Sequence, residues 1–545
     1  MVAAAAGNFA VAPAWAQTSI AGGTIAGTGS ISGSASGGVL ISGQNGDAGP
    51  DTLTGLTVAN TSGATTADAV KVTSGGGNTA AEANLAGVNS LSTSVSGGAA
   101  IELVVTNTGN ASLGDSGGNS LTGSYGVLAH SPGNIWMVLT DGTSGDTITA
   151  NGTAVAGILQ SASSSANLTL GSTTISGFAT GVSMTATNGP VIVSSTSGST
   201  ISGFTDNGIF AISGATAGQG VSVSSASALT GDSGAIGINA ASSGGGNSVT
   251  TLAGGTIDGG ATGISVGGAI GTNATTITVG AAIGDITAPT SYGVSANGSS
   301  TATNTINVNA DVRGGQAGIQ IGSGNFTTTV ASGVTVASAT GSGIVDIGTN
   351  DTLTVNNQGT ISGFRAIDTG ATSNLIANNS GTLTGSAQAI NGNAITLVNS
   401  GTITSGTSNT NIVTVLANSV NVVNTGTISS ANAQGIYANG VGQIVNGATG
   451  TITNTSANGR TSIYLGGGGS VDNYGSIAQG VGAGGSLTLT LEAGSNTGGV
   501  GLSDAGNTVN VYTGTGASAA AVVDSGSGLT LRAAGPSAAA AFGSL

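Results

Sequence analysis

The sequence predicts an all-β fold, a right-handed parallel β-helix whose coils hold about 25 residues and three short strands each. Two observations carry this prediction. A short motif recurs along most of the chain, and the composition combines turn-forming residues with β-branched ones while large side chains are few, with aromatics at 3%.

The motif is a step in which Thr-Ile or Thr-Leu follows a Gly turn. It reads NNQGTISGFRAI at 356–367, NNSGTLTGSAQAI at 378–390 and NTGTISSANAQGIYA at 424–438. In most copies a second apolar pair, such as Ala-Ile or Gly-Ile, follows. The apolar residue of the step recurs in 14 steps over 356 residues, at intervals between 20 and 30. Its positions are Leu121, Ile148, Ile175, Ile201, Leu229, Ile257, Ile283, Val312, Val336, Ile361, Leu383, Ile403, Ile428, Ile452 and Ile477.

A drifting period near 25 indicates stacked coils. One coil cannot bury its own apolar face, whereas stacked coils pair strand on strand in parallel and share a narrow core of Ile, Val and Leu. Turns of different length project sideways and leave the pairing intact. A β-propeller, with a period of about 40–45 residues, and a leucine-rich repeat fit this spacing less well.

The Asn of the motif is expected at one corner of successive coils. There the side-chain amides can hydrogen-bond along the stack as a ladder, and Asn also suits the turn conformation. The predicted ladder comprises Asn357, Asn379, Asn399, Asn424, Asn446 and Asn473.

The composition excludes some classes of function. Lys and Arg number five, the net charge is −15 and the pI is near 4.1, which argues against a nucleic-acid partner. The chain has no Cys, so disulfides and thiolate metal sites are excluded. Six Pro and many β-branched residues favour short strands over disorder.

The N-terminal segment differs from the repeat. An apolar run closes with Ala14-Trp15-Ala16, small residues that signal peptidase accepts, so cleavage is expected between Ala16 and Gln17. No Lys or Arg precedes this run, so we interpret residues 1–16 as a truncated signal peptide. We expect residues 17–120 to form a cap and less regular coils, 121–513 the regular β-helix, and 514–545 a coil or linker.

The N-x-G-T-I-x-[GS] steps resemble the passenger repeats of classical autotransporters, the type V secreted proteins of Gram-negative bacteria. LTLEAGSNTGGVGLSDAGNTVNVYTGTG (489–516) is similar to the segment that ends many such passengers, and Phe542-Gly543-Ser544-Leu545 to the opening of their autochaperone stem. The resemblance implies export to the cell surface, the outer membrane or the medium through an outer-membrane barrel, its own or a separate one. The chain as written ends before that barrel. Haemagglutinin-like proteins of two-partner secretion have similar coils, but their Asn-Pro-Asn step is missing here.

One stretch resembles the nucleophile segment of trypsin-like serine proteases: Gly114-Asp115-Ser116-Gly117-Gly118. Those enzymes place the catalytic His and Asp before the Ser, yet the only His, His130, follows Ser116. The hydrolase order Ser, Asp, His also fails, because no Asp or Glu lies between them. Asp141 could orient His130 only if distant parts of one coil converged. We therefore interpret the stretch as an Asp-Ser-Gly turn.

Together these features predict a non-enzymatic, surface-displayed passenger for adhesion, aggregation or cell coating, with no cofactor and no metal. Its ligand would be a host cell, another bacterium or a glycan. Two alternatives stay open. A secreted β-helix enzyme acting on carbohydrate would need a carboxylate cluster on one face, and a structural filament or surface-layer unit would assemble with concentration.

Overall fold

The computed structural model places most of the chain. It describes residues 8–10, 18–20, 23–26, 30–35, 37–44, 51–61, 66–74, 80–115, 117–139, 145–151, 154–267, 273–406, 413–455, 459–504, 506–512, 518–519, 522–524 and 529–534. These residues form an all-β, parallel β-solenoid, and no helix occurs among them. The chain divides into two compact units, 1–290 and 291–545.

Each coil contributes one strand to each of three parallel ladders. One coil of the first unit runs through Asn207–Ser213 in ladder A, Gln219–Ser225 in ladder B and Ala228–Gly231 in ladder C. The following coil pairs with it strand for strand, because each strand hydrogen-bonds to the third strand after it. This repeated offset of three confirms the prediction of three strands per coil.

In the first unit, ladder A comprises Asn8–Ala10, Gly23–Ala26, Val39–Gln44, Val70–Ser74, Ala99–Val104, Tyr125–Ser131, Ala156–Ala162, Thr180–Ala186, Asn207–Ser213, Ile236–Ser242 and Thr262–Gly267. Ladder B comprises Ala81–Ala86, Ala111–Asp115, Ile135–Leu139, Ala166–Leu170, Val191–Ser195, Gln219–Ser225, Gly246–Thr251 and Thr275–Val279. Ladder C comprises Ser90–Thr93, Ser120–Gly123, Thr147–Ala150, Thr174–Ser176, Thr200–Phe204, Ala228–Gly231, Thr256–Gly259 and Ala282–Ile283. Thr18–Ile20 pairs with Ser30–Ala35, which pairs with Asp51–Asn60. Asp51–Asn60 then pairs with the first strands of ladders B and C.

In the second unit, ladder A comprises Tyr292–Asn297, Ala317–Ser323, Ser342–Asp346, Ile367–Asp368, Ile436–Ala438, Ile463–Leu465, Val481–Ala483, Val500–Leu502 and Val522–Asp524. Ladder B comprises Asn304–Val308, Phe326–Val330, Thr352–Asn357, Asn374–Asn379, Gly442–Asn446, Gly469–Asn473, Leu487–Leu491, Thr508–Tyr512 and Thr530–Ala534. Ladder C comprises Val312–Gly314, Thr335–Ser338, Thr360–Gly363, Thr382–Gly385, Thr402–Ser405, Thr427–Ser430, Thr451–Asn454, Ser476–Ile477, Asn496–Thr497 and Ser518–Ala519. Ile390–Asn399 and Val415–Asn424 each join ladders A and B.

The apolar residues of the Thr-Ile step occupy one register of ladder C. In the first unit the pairs run from Leu121 with Ile148 to Ile257 with Ile283, and in the second from Val312 with Val336 to Ile452 with Ile477. All are at most 2% exposed. The row also extends to earlier coils through Leu91. The register therefore stays constant while the number of residues per coil changes.

A glycine column explains the Gly-Ile pair that follows the step. In ladder A of the first unit, Gly157, Gly181 and Gly208 each lie against the backbone of the next coil. A Cβ added to any of them would come within 2.6–2.7 Å of the next glycine's carbonyl oxygen. At Gly157 and Gly181 it would also meet an Ile methyl group of ladder C at 2.2–2.4 Å. Glycine is required there because two neighbouring coils approach too closely for a side chain.

Three coils do not have three separate strands, because one long strand serves two ladders. These long strands are Ile390–Asn399, Val415–Asn424 and Asp51–Asn60. The coil that contains Ile390–Asn399 spans only 20 residues between its Leu383 and Ile403 markers. It has no residues left for a turn between ladders A and B, so one continuous strand bends from one ladder into the next.

Candidate functional site

The six predicted asparagines form one buried ladder. Each Nδ2 donates to the Oδ1 of the next Asn at 2.8 Å, from Asn357 through to Asn473. The first five also donate to the carbonyl of the Gly two residues on, or four residues on at Asn446. The last amide, of Asn473, donates to Thr497 Oγ1 at 2.8 Å. The six side chains are at most 3% exposed.

This ladder is part of the scaffold. Asn carries both a donor and an acceptor, so a row of them satisfies itself along the stack. The hydrogen bonds to the Gly carbonyls tie each amide to its own turn. A surface ligand cannot reach groups this deeply buried, so the ladder itself is not a binding site.

The structure contains a second polar ladder that the sequence analysis missed. Asn89 Nδ2 donates to Asn119 Oδ1 at 2.9 Å, and the backbone N–H of Asn119 donates to Asp146 Oδ1 at 2.8 Å. These residues directly precede the ladder C strands Ser90–Thr93, Ser120–Gly123 and Thr147–Ala150. The missed signal is a polar residue directly before each Ser/Thr-Leu/Ile step, without the Gly turn that marks the later coils.

The protease-like stretch closes a strand. Asp115 ends a ladder B strand, and its Oδ1 accepts the backbone N–H of Gly117 at 2.9 Å, the bond of an Asx turn. Burial, and then the nearby Asp146, raise the pKa of Asp115 to about 7. His130 lies in ladder A, paired with Val104 and Ser161. Ser116 and Asp141 lie outside the described residues, as does the predicted cleavage point at Ala16 and Gln17.

Asp115 and Asp146 are close to each other. Both Oδ1 atoms accept from the Nδ2 of Asn119, at 2.5 and 3.1 Å. Asp146 is only 2% exposed, however, so this pair is not open to a polysaccharide substrate. Across the described residues, no three or more His, Asp or Glu side chains group as metal ligands.

Charged side chains meet at one place on ladder A of the first unit. Lys71 forms ion pairs with Glu102 and, at 3.9 Å, with Asp68. Burial, and then the adjacent Asp68, raise the pKa of Glu102 to about 7, although Lys71 acts in the opposite direction. Burial and the positive charge of Lys71 lower the pKa of His130. This cluster can respond to pH.

His130 and Trp136 lie in two regular strands of one coil. His130 belongs to the strand Tyr125–Ser131 and Trp136 to the strand Ile135–Leu139, and both strands keep the regular pairing. Trp136 is 43% exposed because it points outward from ladder B. The backbone of this coil is therefore regular.

No family model, no curated protein and no solved structure matches the chain. Within the described part of the chain, none of the elements is a helix that is long and apolar enough to span a bilayer. A functional assignment therefore has to come from the molecule's own surfaces.

One outer surface combines aromatic, aliphatic and amide groups. On ladder A of the second unit, Leu416, Tyr437 and Tyr464 are paired in register on three successive coils. The Tyr rings stack with centroids 5.2 Å apart and planes at 20°. A second row runs beside them: Asn418 and Asn439 lie two residues beyond Leu416 and Tyr437, and Asn393 lies on the preceding coil. Asn418 Nδ2 donates to Asn393 Oδ1 at 2.9 Å and Asn439 Nδ2 to Asn418 Oδ1 at 3.2 Å. We call Leu416, Tyr437, Tyr464, Asn393, Asn418 and Asn439 the amide–tyrosine patch.

A second outer surface is aliphatic. On ladder B of the same unit, Val398, Val423 and Val445 lie in register on successive coils and are 46%, 40% and 37% exposed. Ile376 lies on the preceding coil and is 38% exposed. The same register continues on the two preceding coils with Asn378 and Asn356, where Asn378 Nδ2 donates to Asn356 Oδ1 at 2.8 Å. Aligned exposed aliphatic side chains are typical of interaction surfaces.

Proposed function

We propose that this chain is a non-enzymatic, surface-exposed or secreted passenger of an autotransporter-like protein, and that it acts in adhesion. The observation that supports this is the amide–tyrosine patch. Its partly buried aromatic rings and its amides, of which Asn418 and Asn439 are exposed, repeat on successive coils, as a site for an extended ligand would require. Tyr is enriched at interfaces because its ring is apolar and its hydroxyl is polar.

The proposal also explains why the scaffold is a solenoid. Stacked coils present the same face many times with a spacing of about 4.8 Å, so weak contacts can add along the stack. Because the N-x-G-T-I steps resemble autotransporter passengers, the proposal includes export through an outer-membrane barrel, its own or a separate one. Localisation at the cell surface, on the outer membrane or in the medium belongs to this proposal.

Adhesion can be tested with the full chain. Beads coated with the folded protein should bind bacterial or epithelial cell surfaces more strongly than beads coated with the heat-unfolded protein. Equal retention of both kinds of bead would contradict an adhesive function. Surface proteolysis of the producing cells tests localisation separately, because a displayed passenger is digested in intact cells.

A second candidate function is self-association, as in cell aggregation or a surface layer, and the valine row favours it. Replacing Val398, Val423 and Val445 by Ser removes exposed aliphatic surface without touching the core. If this row joins two copies, sedimentation velocity should show concentration-dependent dimers that the triple variant lacks. A wild-type chain that stays monomeric up to about 100 μM, where even weak interfaces associate, would exclude this role.

A further inference from the structure

We propose that the amide–tyrosine patch binds a neutral polysaccharide chain lying along the stacking direction of the coils. This inference rests on the proposed adhesive function and names its ligand class. Proteins recognise sugars with apolar side chains against the ring carbons and fixed polar groups against the hydroxyls. The patch offers both, in two parallel rows.

The two rows have the spacing of an extended chain. Leu416, Tyr437 and Tyr464 repeat once per coil, about 4.8 Å apart along the stack, a length comparable to one hexose ring. Asn418 and Asn439 lie two residues beyond Leu416 and Tyr437, about 6.6 Å away. A sugar chain over the apolar row would therefore reach the amides with hydroxyl groups on one side.

The amides keep hydrogen-bonding capacity for a ligand. Each Asn side chain can donate two hydrogen bonds and accept two. The bonds within the row use one donor of Asn418 and one of Asn439, and they use neither the Oδ1 of Asn439 nor the Nδ2 of Asn393. Asn418 and Asn439 are exposed. The row is thus held in place by its own hydrogen bonds, which lowers the entropy lost on binding.

The next coil is shaped to accommodate the ring of Tyr464. A Cβ at Gly482 would lie 3.2 Å from Tyr464 Cδ2, and one at Gly484 would lie 3.0 Å from Tyr464 Oη. The two glycines leave space that the ring occupies, and the stacked Tyr437 supports it from the other side. Both rings are thereby fixed before a ligand arrives.

Charge favours a neutral ligand. None of the six residues of the patch is charged, and Arg365, just before the ladder A strand of the preceding coil, is paired with Asp368 at 2.5 Å. The net charge of −15 opposes the approach of a polyanion. Uronic-acid polymers and sulfated glycans are therefore disfavoured.

The test uses the purified full chain and titration calorimetry with defined oligosaccharides: β-1,4-linked glucose and mannose of two to six units, and a hexamer of galacturonic acid. We expect at least one neutral series to bind, with an affinity that rises with length as more coils are engaged. Tyr437→Ala and Tyr464→Ala should each weaken binding at least tenfold, and Asn418→Ala about fivefold. Tyr474→Ala, at a Tyr that is 45% exposed outside the patch, is the matched control and should bind as wild type.

Three results would overturn the inference: binding that survives the double Tyr437→Ala, Tyr464→Ala variant, a preference for the galacturonic acid hexamer, or no binding of any neutral oligosaccharide. In the last case the bead assay separates the two proposals. Adhesion that persists without sugar binding means that the ligand class is wrong while the adhesive function stands. Circular dichroism of each variant establishes that it is folded.

Discussion

Replacing Asn379 by Ala should open the stack locally, whereas the same change at its neighbour Asn378 should not. The two residues are adjacent in the strand Asn374–Asn379 and point to opposite sides. Asn379 is 3% exposed and exchanges 2.8 Å hydrogen bonds with Asn357 and Asn399. Asn378 makes an exposed 2.8 Å bond to Asn356. The pair therefore compares a buried amide with an exposed one at almost the same position.

The magnitude follows from the groups left behind. Asn379→Ala removes two amide–amide hydrogen bonds, each contributing about 1 kcal/mol. It also leaves Asn399 Oδ1 buried without its donor, at a cost of about 1–3 kcal/mol. Asn357 Nδ2 keeps the carbonyls of Gly359 and Thr382, both at 3.2 Å. The expected loss is about 3–5 kcal/mol, against less than about 1 kcal/mol for Asn378→Ala.

Amide hydrogen exchange is the right assay, because stacked repeats unfold in parts rather than as one two-state unit. The opening free energy should fall in the strands Thr352–Asn357, Asn374–Asn379 and Ile390–Asn399, and recover within a few coils. A loss at Asn379→Ala within about 0.5 kcal/mol of that at Asn378→Ala would refute the view that the ladder stabilises the coils.

Three further predictions concern stability. Because burial raises the pKa values of Glu102 and Asp115 to about 7 and of Asp346 to about 6, the folded chain holds protons that the unfolded chain has lost. The stability from these groups is complete below about pH 4 and is lost towards pH 7, so the free energy of unfolding should fall over that range. Asp346→Asn should remove about 3 kcal/mol of this fall, between about pH 4 and pH 6, and a denaturation series with an unchanged pH dependence would contradict this. Gly208→Ala should destabilise the chain by about 1–3 kcal/mol in thermal unfolding, because its Cβ would lie 2.6 Å from a carbonyl oxygen of the next coil. Gly267→Ala is the control and should be neutral, because a Cβ there would meet nothing within 4 Å.

The fold was predictable because its determinants are local and repeated. The register of the Thr-Ile step could be assigned residue by residue, since a slip by one residue would turn every Ile outward. The asparagine ladder was predictable for the same reason, because Asn and Gly recur together before that step. The ladder of Asn89, Asn119 and Asp146 has no such common sequence motif, so the sequence did not reveal it.

The amide–tyrosine patch was not predictable from the sequence. Its residues come from four successive coils, and their alignment depends on how many residues each turn contains. Tyr437 and Tyr464 are 27 residues apart, whereas Leu416 and Tyr437 are 21 apart. Only the strand pairing shows that these intervals are equivalent. Predicting a surface row of this kind requires the exact register of every coil. Predicting the core requires only the average number of residues per coil.

The constant register beneath unequal turns makes the number of coils adjustable. Loss of residues 380–399 would place Ser400 directly after Asn379, and the chain would then read Asn-Ser-Gly-Thr-Ile where it had read Asn-Ser-Gly-Thr-Leu. One coil would be lost, and the coils on either side would pack against each other through the same kinds of Asn, Gly and Ile contacts as before. Unequal recombination between repeats of the gene can thus lengthen or shorten this scaffold by whole coils, while the contacts that join neighbouring coils stay the same.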